Sequence, residues 1–261
     1  MPEADLPLLI TAAHAAGEIA MRHFAGDRAA TEKPDAQGPV TEADLEVDRM
    51  LRDRLLAARP DYGWLSEESE NDPARLDAER VFIVDPIDGT RAFVEGGKAW
   101  SHALAVAERG RVVAGVVFLP RLERTYSAAA GEGAVCNGEP IRVSRREVLT
   151  GAKVLVNATQ LDPKFWPSGV PAIERHFRSS LAYRMCLAAE GRYDAMLTFR
   201  DAWEWDIAAG DLIAREAGGR VTDRLGHAPV FNNPRPALPG VIAAPPELHA
   251  RLLAQTRPAP G

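Results

Sequence analysis

Apolar residues recur at helical spacing in two early stretches of the chain. Leu9, Ala13, Ala16 and Ala20 share a face over roughly residues 5–24, and Val47, Leu51, Leu55 and Ala58 share one over roughly 42–58, the period of amphipathic helices. TEKPDAQGPVT between them concentrates Pro, Gly and Asp and reads as a loop. DYGWLSEESEND is a short apolar piece entering an acidic turn, and residues 81–84 form a short apolar strand. From 102 to 143, apolar runs broken by glycine predict an antiparallel meander whose first hairpin turns at Glu108-Arg109-Gly110. Beyond 146, VLVNA, AMLTF and VIAAP read as strands. They alternate with helices at PAIERHF, SSLAYRMCLAAEG, DIAAGDLIAREAGG and PELHARLLAQ. The expected class is α/β (α+β), in three parts: a half over 1–145 with a helix pair and antiparallel sheet, a mixed-sheet α/β half over 146–257, and a frayed tail over 258–261.

With 261 residues, 46% of them hydrophobic and 26% charged, the chain has the composition of a soluble globular protein. Its net charge of −6, with no basic block, argues against a nucleic-acid polymer as partner. No apolar run approaches the ~20 residues of a membrane span, and the acidic N-terminus has no signal-peptide pattern. Cys136 and Cys186 have no metal-ligand spacing and read as free thiols, so a cytoplasmic location is expected.

The chemistry concentrates in FIVDPIDGTRAFVEG, where a strand ends in Asp85 and Asp88 beside Gly89-Thr90. Asp-Pro and Asp-Gly are also turn-formers, but Pro86 keeps Asp85 extended and Gly89-Thr90 could present free amides to an anion. Two like charges so close call for a cation. The Asp-x-Asp-Gly-Thr arrangement of covalent aspartyl phosphatases is excluded, because an interval of three does not place both carboxylates on one side of a regular strand. Glu67 and Glu68 follow the apolar Trp64-Leu65, although a solvated turn describes most such pairs. Asp206 stands where a helix N-cap is expected. Thr41 and Asp44 fit a capping box.

Taken in order, VTEAD, SEES, DPIDGT and WDIAAGDLIAREAGG resemble the inositol monophosphatase superfamily of Mg²⁺-dependent, lithium-sensitive phosphatases over essentially the whole chain. The resemblance implies a layered αβαβα sandwich, a homodimer and two or three Mg²⁺ ions per site. It assigns Glu67, Asp85 and the Ile87 carbonyl to the first metal, with Asp85 bridging to a second held by Asp88 and Asp206. Thr90 and Asp44 would position and deprotonate the attacking water, with Glu67 also counted among the catalytic groups. The amides of Gly89 and Thr90 would grip the phosphate, and Lys33 would lie near the metals. Oxygen ligands with retained waters suit Mg²⁺, and an ion pair would turn an acidic cleft into an anion-binding one.

Which small phosphorylated metabolite is cleaved is less plainly written. Counting back seven positions from Asp206, where inositol-type members carry an acid, reaches Phe199, an aromatic suited to a flat group. SSLAYRMCLAAEG, with Ser180 as a substrate contact, looks closer to the bacterial 3′(2′),5′-bisphosphate nucleotidases. The expectation is therefore hydrolysis of the 3′-phosphate of 3′-phosphoadenosine 5′-phosphate-type nucleotides. Inositol 1-phosphate comes second, histidinol phosphate third, and the non-enzymatic alternative is a carboxylate-rich metal-binding module.

Overall fold

The computed structural model describes residues 2–26, 28–32 and 39–256; Lys33 and the tail over 258–261 lie outside the described residues. Six α-helices occur among them: α1 (Pro2–Ala25), α2 (Glu42–Ala58), α3 (Thr90–Val94), α4 (Leu181–Ala189), α5 (Glu204–Glu216) and α6 (Pro246–Gln255). The first strands, β1 (Ala30–Glu32) and β2 (Pro39–Thr41), pair antiparallel, so the ends of the expected loop are zipped together.

A seven-stranded sheet follows in sequence order: β3 (Gly63–Ser66), β4 (Arg80–Asp88), β5 (Ser101–Glu108), β6 (Arg111–Leu119), β7 (Arg124–Ala129), β8 (Ala134–Cys136) and β9 (Glu139–Pro140). Only β3 and β4 run parallel; the rest is the expected meander. Arg109 (φ 47°) and Gly110 (φ 80°) are both left-handed, the turn that matches the twist of a two-residue hairpin. The second sheet has five strands: β10 (Lys153–Leu155), β11 (Glu174–His176), β12 (Ala195–Thr198), β14 (Arg220–Thr222) and β16 (Val241–Ala244), in the order β11-β10-β12-β16-β14. It is mixed, with β10 parallel to β11 and β12 and β16 antiparallel to its neighbours. β13 (Ala202–Trp203) and β15 (Ala237–Leu238) form a separate ribbon. PAIERHF, expected to be a helix, contains strand β11, because the parallel edge of β10 captures its backbone and three residues of pattern are too few to hold a helix against it.

Strand alternation sorts the layers. Phe82, Val84, Leu104 and Val106 pack with Leu9, Ala13, Val47 and Leu51 of α1 and α2. Their neighbours Val81, Ile83, Ala103 and Ala105 face Met185, Ile207 and Leu212 of α4 and α5. The second sheet repeats the division: Leu155, Met196 and Ala243 join the α4/α5 core, while Val154, Leu197 and Ile242 pack with Leu248 and Leu252 of α6. Period-two strands buried on both faces thus build the order helix pair, sheet, helix pair, sheet, helix, which is the αβαβα sandwich. Close contact between α5 and the first sheet needs Gly115, where a Cβ would lie 3.1 Å from the Ala209 Cα.

Candidate metal centre

β4 does not stop with the apolar run at residue 84; it runs on to Asp88. Its register against β5 shifts between Asp85 and Asp88, a bulge that accommodates Pro86, which has no N–H to give the ladder. This irregularity lets two carboxylates at an interval of three serve one site. Asp206 comes from the first turn of α5. The helix begins at Glu204 with Trp203 at its cap position and no side-chain cap bond, so Asp206 is not the N-cap the pattern suggested. Asp85, Asp88 and Asp206 each offer an oxygen within 4.8 Å of the others.

A cleft of about 450 Å³ opens over these three. Glu67, Ile87, Gly89 and Thr90 line it as well, so the expected metal and phosphate residues among the described ones share one space. Gly89 has φ 95°, a left-handed conformation that glycine adopts without a Cβ penalty, and it turns the chain from β4 into α3. The Thr90 hydroxyl lies 3.0 Å from the Ile87 carbonyl and 3.3 Å from Asp44 Oδ1. Asp44 is held in turn by the Thr41 amide at 2.8 Å within the capping box that starts α2. Thr41 therefore orients Asp44 and α2 together.

The electrostatics are those of a site built for cations. Asp85 is 1% exposed, and its Oδ1 has no hydrogen-bond partner. Burial, reinforced by Glu67, Asp88, Asp206 and Asp44, pushes its carboxyl well above the ordinary range. Burial raises Asp88 to about 6, against the opposing pull of its hydrogen bonds from Ser180 Oγ (2.6 Å) and the amides of Ala182 (2.7 Å) and Leu181 (3.1 Å). Asp206 is raised by burial and by the charges of Asp88 and Glu67. An orphaned buried carboxylate oxygen among clustered acids fits a hard divalent ion.

Two expected substrate contacts are placed elsewhere. Ser180 is fully buried and spends its hydroxyl on Asp88, with Ser101 Oγ 3.0 Å away, so it anchors that carboxylate instead of lining the cleft. Phe199 is 3% exposed and packs against Phe165 and Trp166 in the core on the α6 side. It does not line the cleft, because just past β12 it continues the strand's alternation and faces the same α6-side layer as Leu197, two residues earlier. The aromatic residues that do line it are Phe177, Trp203 and Trp205.

Other contributors were not singled out from sequence. Asp48, one turn after Asp44, accepts from Ser66 Oγ (2.5 Å) and Ser69 Oγ (2.6 Å), clamping both sides of Glu67 and Glu68. A second acid on the apolar-facing side of α2 was its signal. Arg184, 9% exposed, is held less basic than usual by burial, while the charges of Asp88 and Asp206 oppose that fall.

The sequence model of the inositol monophosphatase family matches residues 2–260. The chain belongs to the inositol monophosphatase family. It is similar to an inositol-1-monophosphatase of Rhizobium meliloti, 33% identical over 85% of this chain and 86% of the relative. It is also 34% identical to a histidinol-phosphatase of Mycobacterium tuberculosis, over 87% and 90% of the two chains. Its fold is shared with the crystal structure of the extragenic suppressor protein suhB of Bartonella henselae, with a TM-score of 0.83, 28% identity and 97% and 98% coverage. Family membership makes the chain a phosphoric monoester hydrolase, and the reading as a non-catalytic carboxylate module is set aside. No helix among the described residues is long and apolar enough to cross a membrane.

Proposed function

We propose that this member of the family is a Mg²⁺-dependent phosphomonoesterase that removes the 3′-phosphate of 3′-phosphoadenosine 5′-phosphate-type nucleotides by direct attack of water. The observation that carries the reading is the convergence of Asp85, Asp88 and Asp206, from the end of β4 and the start of α5, with an unsatisfied oxygen among them. Glu67, Asp85 and the Ile87 carbonyl would hold one ion, and Asp85, Asp88 and Asp206 a second, with a third, weaker one near Thr90. Bound Mg²⁺ supplies the positive charge that acidifies a water and offsets charge on the entering and leaving oxygens.

The chain's own groups do the rest. Asp44 Oδ1 faces the Thr90 hydroxyl, so the carboxylate can take the Thr90 proton while the Thr90 oxygen accepts one from water, giving a general-base relay. The amides of Gly89 and Thr90 open α3 and would bind the phosphate oxygens. No protein nucleophile is required. Inhibition by lithium and a homodimeric assembly follow from the family resemblance, and cytoplasmic residence accords with the free thiols of Cys136 and Cys186.

Inositol 1-phosphate is the second reading and histidinol phosphate the third, each favoured by a similar relative that bears the corresponding name. Phosphate release from the three esters, with Mg²⁺ and with EDTA, tests the proposal. A clear kcat/KM preference for the nucleotide is expected. Preference for either alternative, or equal feeble rates, overturns the substrate; no Mg²⁺-dependent release from any ester overturns the phosphatase mechanism.

A further inference from the structure

Beside the acidic cluster the cleft is walled by Phe177, Trp203 and Trp205. The two indoles are already stacked, with ring centroids 5.0 Å apart and planes within 8°. The pair spans the junction of β13 and α5: Trp203 is the extended cap residue and Trp205 lies in the first helical turn. Glu204, between the tryptophans, lies in a socket of its own. It is fully buried and accepts from the amides of Asn232 (2.6 Å) and Asn233 (2.9 Å) and from the Asn233 side chain (2.7 Å). Arg75, itself 3% exposed, closes that socket by donating to the side chain of Asn232 and to the Asn233 carbonyl (2.8 Å). On the outer side Arg235, paired with Asp201 at 2.9 Å, lies 5.7 Å over the Trp203 ring. Phe177 is 42% exposed at the cleft, with the Arg184 guanidinium 5.2 Å from its ring.

A rigid aromatic wall next to the phosphate position suits one kind of leaving group. Aromatic faces bind flat heterocycles by stacking, at little entropic cost when they are held in place beforehand. A polyol ring instead needs hydrogen-bonding partners fixed at its hydroxyls, and the position from which an acid would do this, Phe199, faces another layer of the fold. We propose that Trp203, Trp205 and Phe177 form the subsite for the alcohol half of the ester, and that it takes a planar nitrogen heterocycle, as in a nucleotide. The proposal rests on the phosphatase reading of the same cleft, and names Trp203 as a specificity-determining residue, its one face braced by Trp205 and its other face opened to the heterocycle when Arg235 swings aside.

The test compares Trp203→Leu and Trp203→Phe with wild type on adenosine 3′-phosphate, inositol 1-phosphate and β-glycerophosphate at saturating Mg²⁺. The leucine variant should lower the kcat/KM ratio of the nucleotide to either polyol ester about tenfold, through KM, on the scale of a lost base–aromatic stack. The phenylalanine variant should restore most of it. Equal losses on all three esters, or none, overturn the subsite while leaving the phosphatase reading intact. If wild type hydrolyses no ester, that reading falls and the subsite is judged by titration of indole fluorescence with adenosine 3′-phosphate. Saturable quenching weakened in Trp203→Leu supports it; unchanged or absent quenching overturns it.

Discussion

The Ser180 hydroxyl donates to Oδ2 of Asp88 at 2.6 Å, joining the end of β4 to the N-cap of α4. The same oxygen of Ser180 accepts from the Tyr183 amide at 2.9 Å, so one hydroxyl orients a carboxylate of the acidic cluster and starts a helix.

Ser180→Ala should therefore weaken both. Loss of an outer partner to a ligating group typically costs 10–100-fold in metal affinity or activity. The expected result is a rise of at least about tenfold in the Mg²⁺ concentration for half-maximal activity, seen in a metal titration, together with a loss of about 1 kcal/mol of stability from the missing cap.

Asp85→Asn should separate stability from activity. It removes the charge of a carboxylate with one unsatisfied buried oxygen and a strongly raised pKa. With EDTA at pH 8 its Tm should exceed that of wild type, by roughly 2–4 °C for each kcal/mol of relieved repulsion. Phosphatase activity should fall by more than about a hundredfold, as the loss of a charge-stabilising group at the reacting centre implies.

The buried carboxyls should destabilise the metal-free protein increasingly as pH rises. Asp88 titrates near 6 when folded against 3.8 for the free side chain, and buried Asp211 is likewise raised to about 6. Between those values these two groups hold more protons in the folded state than in the unfolded state, so their contribution to stability declines with increasing pH. The penalty is absent below about pH 4 and complete above the folded values. Buried His102 and His249, lowered from 6.5 to about 4, contribute the opposite slope up to about pH 6.5. Thermal melts in EDTA and in Mg²⁺ are therefore compared at each pH, and the gain in Tm from Mg²⁺ should be larger at pH 8 than at pH 4.

Thr90→Val should act on turnover while largely sparing affinity. The hydroxyl poised between Asp44 and the Ile87 carbonyl is lost, and with it a proton-transfer contribution of about 10²–10⁴ in kcat. Thr90→Ser should retain most of the activity, and Mg²⁺ binding followed by calorimetry should be little changed in either variant.

Glu204→Ala should cost about 3–5 kcal/mol, read by urea unfolding. It strands the Arg75 charge and two backbone amides in a buried socket.

Much of this was legible in the chain because its periodicities are strong. The helix pair, the hairpin at Arg109-Gly110 and the alternation of the later half follow from apolar spacing and left-handed turn residues, and the acidic motifs announced a shared site. Three features were not. β11 depends on a parallel neighbour distant in sequence, which no local pattern encodes. The passage of β4 through Pro86 depends on a bulge against β5. Phe199 was misjudged because counting along a chain fixes spacing but not which layer a residue faces, and it falls on the α6 side with Leu197.

Asp85 and Asp88 belong to one sheet, and Asp206 to the helical layer sandwiched between the two sheets. An ion gripping all three is consequently a rivet through adjoining strata, fastening pieces of chain otherwise joined by greasy contact and a few hydrogen bonds such as those to Asp88. Loading should slow the shearing apart of those strata, so resistance to proteolysis would report on magnesium even when no ester is present.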